Sequence, residues 1–166
     1  MEQTTADYIK ELEGKVTTLT RLVEVNAVLN GALLSSAPRL EALLGYIMDA
    51  AAEITECEAA SILLWRPATQ ELFFAATTTD NEQARALIGK PVPLDSIAGT
   101  IFNQRRPVRV DDALKDPRHY SKVDQDIQFV TRSLLGVPMI SKQKVIGVLE
   151  VVNKRAMPWT ATDTQN

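Results

Sequence analysis

The sequence has one cysteine, one histidine and no long apolar run, and each shortage excludes a class of protein. A single cysteine, Cys57, cannot form an intramolecular disulfide, which predicts a reducing compartment and a cytoplasmic location. A single histidine, His119, excludes a histidine-rich metal site. The polar, acidic N-terminus lacks a signal-peptide core, and no hydrophobic run approaches the length of a membrane span. We therefore expect no membrane contact from this chain, although it can be a soluble piece of a membrane-anchored protein.

Positive charge is also scarce. The chain has 18 Lys and Arg residues against 21 Asp and Glu residues, so its formal net charge is −3. Without a basic excess to hold a phosphate backbone, nucleic-acid binding is not expected. The length of 166 residues suits one globular domain, and 45% hydrophobic residues exclude a mostly disordered chain.

The first part of the chain carries a heptad pattern. From Ile9 to Leu33, apolar and Asn residues recur at alternating spacings of three and four residues, which is typical of a coiled-coil seam. A second stripe, from Leu22 to Ala32, suits packing against a domain core, and both interpretations can hold. We expect residues 1–21 to form a signalling helix that pairs two chains in a parallel homodimer, and residues 22–166 to form the globular domain.

The rest of the chain alternates between helical and strand patterns. Apolar residues at helical spacing from Leu40 to Ile54 predict a helix that ends near Cys57, and a capped helix is predicted at 97–104. Strand patterns predict two hairpins and two short segments, at 61–65, 71–78, 92–94, 108–110, 133–140 and 145–153. A short helix is predicted at 81–88, a polar loop at 111–125 and a helical piece at 126–130. Strands joined by short turns are antiparallel, so the order predicts an α+β fold with a central antiparallel sheet and helices on both sides.

Two predicted elements carry features that suit a ligand. The helix start at Ile97 and Ala98 offers free N–H groups and small side chains to an anion. The alternative is an ordinary capped helix. Glu150 shares a predicted strand face with apolar residues, where a carboxylate is costly unless it has a partner. A purine edge or a ligand amine would satisfy it; alternatively it reaches solvent or pairs with Arg132.

Several stretches resemble the GAF domain, the small-molecule sensor module of signalling proteins. The resemblance runs from about residue 22 to the C-terminus, and it is carried by residues 60–64, 71–72, 93–99, 131–139 and 145–154. It implies a GAF/PAS-like fold and a non-catalytic sensor that relays a conformational change through flanking helices to a C-terminal output domain. The alternative is a ligand-free GAF module for dimerisation and signal relay.

A finer resemblance concerns the C-terminal end. Asn153-Lys154 is followed by Trp159 and Asp163 at the spacing of the Asn-Lys…Phe…Asp-Glu motif of cyclic-nucleotide-binding GAF domains. Trp159 replaces the Phe of the motif, and Thr164 stands where it has Glu. The resemblance implies that Trp159 is a buried anchor beside the turn at 153–154. It also implies that the chain is a fragment whose closing helix is truncated.

The same resemblance implies a set of ligand-binding residues. In nucleotide-binding GAF domains the helix start holds the cyclic phosphate, the strand Glu contacts the base and a lid segment closes the pocket. Carried onto this sequence, these are Ile97, Ala98, Tyr120, Asp124, Thr131 and Glu150. Ile127 stands where that family tends to have a polar residue, which leaves another planar or apolar ligand open.

Catalytic and cofactor-dependent branches of the family need residues that this chain lacks. Free methionine sulfoxide reductases use several cysteines, and phytochrome-type domains attach bilin to a lid cysteine. Cys57 fits neither and is expected to be a small buried hydrophobe. His119 is expected to be an exposed loop residue, and the acidic residues from 111 to 126 a solvated loop without a metal. We therefore expect no enzyme activity, no bilin and no haem, with a cyclic nucleotide as the leading ligand.

Overall fold

The computed structural model describes residues 38–79 and 81–156, together with Trp159 and Asp163. The predicted coiled-coil seam at 9–33 lies outside these residues. The chain divides into two compact units, Met1–Ile47 and Met48–Asn166. Helix α1 (Pro38–Ile54) begins in the first unit and ends in the second, and it confirms the helix expected there. No helix in the described part of the chain is both long and apolar enough to cross a membrane.

Among the described residues, six strands form one antiparallel sheet in the order β3-β2-β1-β6-β5-β4. Their bounds are β1 Cys57–Arg66, β2 Glu71–Thr77, β3 Pro91–Val92, β4 Val108–Val110, β5 Leu134–Ser141 and β6 Lys144–Lys154. Both predicted hairpins are present, and their first and last strands pair with each other. Strands β1 and β6 therefore form the centre of the sheet, as expected for an α+β fold of the GAF/PAS type.

The two faces of the central strands are both covered. On β6, Val148 and Glu150 point to one face, while Leu149 and Val151 alternate to the other. On the second face, Leu149 and Val151 line a cavity of about 80 Å³ together with residues from β5 and from the end of α1: Ala51, Ile54, Thr55, Leu135 and Val137. The apolar character of both faces predicted this double cover.

Helix α3 (Ile97–Gln104) covers the first face and matches its predicted bounds. Ser96 begins it as the N-cap, and its hydroxyl accepts the Gly99 N–H at 3.2 Å. A side chain at Gly99 would place Cβ 2.1 Å from the Leu94 carbonyl oxygen, so only glycine allows this close approach. Ile97 and Ile101 then pack with β5 and β6 in a buried apolar cluster.

The segment between β4 and β5 differs from the prediction. It contains a 3-10 turn at Ala113–Lys115 and helix α4 at Ser121–Ile127, so the expected loop at 111–125 and helical piece at 126–130 are wrong. The α4 sequence offers only Val123 and Ile127 as apolar positions, too few to define a helical period. Gln128 ends α4 in the left-handed region, with a φ of 53°. Helix α2, at Glu82–Arg85, is shorter than expected.

Cys57 begins β1 rather than ending the preceding helix. Its side chain is buried, as expected of a small hydrophobe, and burial raises the pKa of the thiol. The helix stops earlier because Glu56 adopts a φ of 55°, which breaks the helical conformation. The prediction for Cys57 is therefore correct that the side chain is buried and wrong that the residue ends a helix.

Candidate functional site

A cavity of about 90 Å³ lies between the first sheet face, the start of α3 and the segment from His119 to Thr131. We call it the inner cavity and the covering segment the lid. The structure brings all six sequence-predicted site residues to its wall: Ile97, Ala98, Tyr120, Asp124, Thr131 and Glu150. The sheet contributes residues of β1, β2, β3, β5 and β6, so residues far apart in sequence converge on one space.

Glu150 lies in the middle of the sheet, between Ser61 of β1 and Gly136 of β5. Only 8% of its surface is exposed, and among the described residues none forms a hydrogen bond or ion pair with its carboxylate. Burial alone raises the pKa of Glu150 to about 7. The alternative expectation, that Glu150 reaches solvent or pairs with Arg132, is wrong because Arg132 instead bonds Glu58 at 2.5 Å.

Three residues of the lid form a hydrogen-bonded group that we call the lid clasp: His119, Asp124 and Thr131. Asp124 Oδ2 accepts the Thr131 N–H at 2.8 Å, and Oδ1 accepts the Thr131 hydroxyl at 2.7 Å. His119 Nε2 lies 3.1 Å from Asp124 Oδ2. Asp124 and Thr131 were expected to present polar groups to a ligand. In the structure these groups already have hydrogen-bond partners inside the lid.

His119 is the titratable wall residue that sequence reasoning missed, and four further polar residues of the described wall were missed as well: Ser61, Thr77, Thr79 and Ser96. The His119 side chain is 11% exposed and lines the inner cavity, so the expectation of an exposed loop histidine is wrong. A backbone turn precedes it, in which the His119 N–H donates to the Asp116 carbonyl at 3.0 Å. Apolar wall residues were also missed, because a sequence does not distinguish an apolar side chain that lines a cavity from one that fills the core. These residues are Phe74, Leu87, Val123 and Phe129.

The start of α3 presents few free donors to the cavity. The Ile97 N–H donates to the Arg118 carbonyl at 3.2 Å, and the Gly99 N–H is used by the Ser96 cap. The Ala98 N–H has no acceptor among the described residues. Asp95 is exposed and is not the cap. One backbone donor, that of Ala98, is therefore available at this end of the wall.

A wider pocket of about 370 Å³ adjoins the inner cavity, and we call it the outer pocket. The two spaces share four wall residues: Phe74, Leu87, Tyr120 and Val123. The remaining wall of the outer pocket comes from β3 and its approach and from α4: Lys90, Pro91, Lys122 and Asp126. These shared residues therefore border both a small acidic cavity and a larger space that two lysines line.

Asn153 ties the end of the lid to the sheet. It is fully buried and has a φ of 58°, which an asparagine adopts more readily than most residues. Its Oδ1 accepts the Arg132 N–H at 2.6 Å, and its Nδ2 donates to the Val130 carbonyl at 2.8 Å. Asn153 thus holds the chain on both sides of Thr131.

The last residue of β6 forms a buried ion pair. Lys154 Nζ lies 2.8 Å from Asp163 Oδ1 and also donates to the Thr55 carbonyl at 3.0 Å. Trp159 is 3% exposed, with its ring centroid 5.6 Å from Lys154 Nζ. The expectation that Trp159 is buried beside Asn153-Lys154 is confirmed, although these two residues end β6 and do not form a turn.

Comparisons with known proteins identify a domain family and several relatives. The family model described as GAF domain matches residues 39–165. The Caenorhabditis elegans protein named "Probable 3',5'-cyclic phosphodiesterase pde-5" is 25% identical over 132 residues, which is 75% of this chain and 18% of that protein. The mouse cone cGMP-specific 3',5'-cyclic phosphodiesterase subunit alpha' is 33% identical over 67 residues, 40% of this chain and 8% of that protein. This chain thus spans less than a fifth of either curated relative's length.

A solved structure supports the fold independently. The GAF domain from a phosphoenolpyruvate-protein phosphotransferase of Coxiella burnetii superimposes with a TM-score of 0.71 at 18% sequence identity. The match covers 89% of this chain and 84% of that chain. At this level of identity the likeness concerns the fold alone.

Proposed function

The chain belongs to the GAF domain family, and on that premise we propose that it is a non-catalytic sensor that binds a small molecule in the inner cavity. GAF domains are sensory and regulatory domains of signalling proteins, phosphodiesterases among them. The observation that carries the proposal is Glu150, a carboxylate buried on an apolar face without a partner from the described residues.

The state of Glu150 defines the ligand's chemistry. A buried carboxylate without a hydrogen-bond donor is costly, and a raised pKa is the sign of that cost. A ligand that carries N–H donors on a ring edge removes the cost, so binding is favoured by what the free protein lacks. Elsewhere in the wall of the inner cavity, the Ala98 N–H suits an accepting atom of the same ligand.

Cyclic AMP and cyclic GMP are the leading candidates. Each carries base N–H donors at one end, the exocyclic amino group of adenine or the N1–H and amino group of guanine, and phosphate oxygens at the other, which matches Glu150 and Ala98. Two further observations support them: the relatives named as cyclic phosphodiesterases, and the Asn153-Lys154…Trp159…Asp163 arrangement. A base at Glu150 would leave Tyr120 on the lid side of the ligand.

The size of the inner cavity means that binding has to move the lid. A volume of about 90 Å³ is well below the roughly 300 Å³ at which ligand pockets begin. A nucleotide would therefore separate the lid from the sheet and strain the lid clasp. Because Asn153 bonds both sides of Thr131, this movement reaches the end of β6 and the turn after it. That path would relay ligand binding to an output domain in a longer protein.

The same small volume supports a second candidate, a ligand-free module for dimerisation and relay. In that case Glu150 would keep its proton and the inner cavity would hold water or stay closed. The two candidates separate in a thermal-shift screen with cyclic AMP, cyclic GMP and a panel of small acids. A saturable rise in melting temperature that is lost in Glu150→Ala supports the sensor, whereas no shift with any compound supports the relay module.

A further inference from the structure

We propose that the outer pocket is a second ligand site, for small molecules that combine a flat apolar ring with an anionic group. This proposal stands apart from the sensor function of the inner cavity, since it uses different charged residues. The volume of about 370 Å³ falls in the range of small-molecule sites, which is roughly 300–1,000 Å³.

The floor of the outer pocket suits a ring. Phe74 and Tyr120 contribute aromatic surface, and Leu87, Val123 and Pro91 contribute aliphatic surface. Phe74 and Leu87 are buried core residues, so the floor is fixed by the packing beneath it. A planar apolar ligand would remove further apolar surface from water there, which is the main favourable contribution to its binding.

The rim suits an anion. Lys90 and Lys122 both line the pocket, and neither has a carboxylate partner among the described residues. Asp126 is the single acidic residue of the described lining, so the local charge is positive although the whole chain carries −3. Two unpaired ammonium groups beside apolar surface favour a carboxylate or phosphate over a neutral group.

The fold fixes the backbone positions of both lysines. Gly89 adopts a φ of 86° and its N–H donates to the Phe74 carbonyl at 2.8 Å, while the Phe74 N–H donates to the Lys90 carbonyl at 3.1 Å. Lys90 is therefore bonded directly to the residue that forms the floor. Lys122 lies in the first turn of α4, next to the wall residue Val123. The fold brings these two lysines together across 32 positions of sequence.

The inner cavity has the opposite charge, which separates the two sites chemically. Glu150 and Asp124 line it, and no lysine or arginine is found among its described wall residues. A small aromatic carboxylate has no N–H donor for Glu150, so it is disfavoured in the inner cavity and favoured in the outer pocket, whereas a cyclic nucleotide brings that donor.

A matched pair of probes tests the proposal: 2-naphthoate and 2-naphthylmethanol, which share a ring system and differ in charge. Calorimetry on the whole chain should show saturable binding of 2-naphthoate, weaker binding of the neutral alcohol, and loss of affinity at high salt. The double variant Lys90→Gln/Lys122→Gln should weaken 2-naphthoate binding roughly three- to tenfold, the range for two exposed charge contacts. Lys144→Gln, an exposed lysine outside the pocket, should leave the affinity unchanged.

The outcomes separate this site from the sensor function. Equal binding of the two probes, no binding of 2-naphthoate, or an unchanged affinity in the double variant would overturn the outer-pocket site. Retained binding in the charge-preserving pair Lys90→Arg/Lys122→Arg would support it, and its loss there would overturn the charge argument. Failure of cyclic nucleotides to bind would count against the sensor function alone, because 2-naphthoate binding does not require Glu150.

Discussion

Asp124 and Thr131 are joined twice across the end of α4, once through the Thr131 N–H at 2.8 Å and once through its hydroxyl at 2.7 Å. His119 adds a third contact to the same carboxylate. Asn153 holds the residues on either side of Thr131 to the sheet. The lid is thus closed by side-chain hydrogen bonds to Thr131 and to the residues beside it. A ligand of nucleotide size would have to strain these bonds.

The first prediction concerns this clasp. Thr131→Val keeps the shape of the side chain and removes the hydroxyl, leaving one oxygen of a largely buried carboxylate without its donor. The free energy of unfolding should fall by roughly 1–3 kcal/mol, and amide exchange should accelerate in the lid. Denaturation and hydrogen-exchange measurements check both. Thr69→Val, at an exposed turn position, is the control, and equal effects of the two variants would contradict the clasp.

The second prediction concerns pH. The folded pKa of Glu150, about 7, lies above the ordinary value of 4.5, so the folded state holds a proton that the unfolded chain has released. The stability contributed by Glu150 therefore falls as the pH rises from about 4.5 to about 7, by roughly 3 kcal/mol, and is constant above that. Glu150→Gln should abolish this loss. The free energy of unfolding of the variant, relative to that of wild type, should therefore increase as the pH rises above about 4.5.

Urea unfolding of wild type and Glu150→Gln over this pH range measures the difference directly. Comparing the two proteins cancels the contributions of the titratable groups that they share. Asp49→Asn, at an exposed position of α1, should track wild type at every pH. A pH-independent difference between wild type and Glu150→Gln would contradict the raised pKa, because it would show that folding does not change the proton affinity of Glu150.

The third prediction concerns Trp159. Its ring is buried, and its Nε1 has no hydrogen-bond partner among the described residues. Trp159→Ala should lower the free energy of unfolding by roughly 3–5 kcal/mol, as expected for a well-buried aromatic. Trp159→Phe should cost far less, because it keeps an aromatic anchor and removes an unsatisfied donor. An unchanged melting temperature for Trp159→Ala would contradict the anchor role.

The fourth prediction concerns assembly. The seam from Ile9 to Leu33 predicts a parallel homodimer through the N-terminal helix. Light scattering of the whole chain should give a dimer mass, and a chain shortened to residues 38–166 should show weaker self-association. A monomer at high micromolar concentration would overturn this prediction for the chain as given.

Sequence patterns predicted the sheet, and they also predicted six residues that line the inner cavity, for separate reasons. Alternating apolar residues and short turns predict the hairpins, and Ser96 is recognisable from the sequence as the N-cap of α3. Glu150 was recognisable because a charge on an apolar strand stands out. Helix α4 was misplaced because its polar sequence carries almost no periodicity. The burial of His119 depends on Asp124 folding back to meet it, and the outer pocket depends on two lysines that only the tertiary structure brings together.

The most direct test of the central claim is calorimetric titration of the whole chain with cyclic AMP and cyclic GMP. The account predicts saturable binding of at least one of them, weakened by about 1–3 kcal/mol in Glu150→Ala and in the bulky Ala98→Leu. Lys144→Gln should bind like wild type. No binding of either nucleotide to the folded wild-type chain, or binding unaffected by Glu150→Ala, would contradict the proposal that Glu150 reads a cyclic nucleotide in the inner cavity.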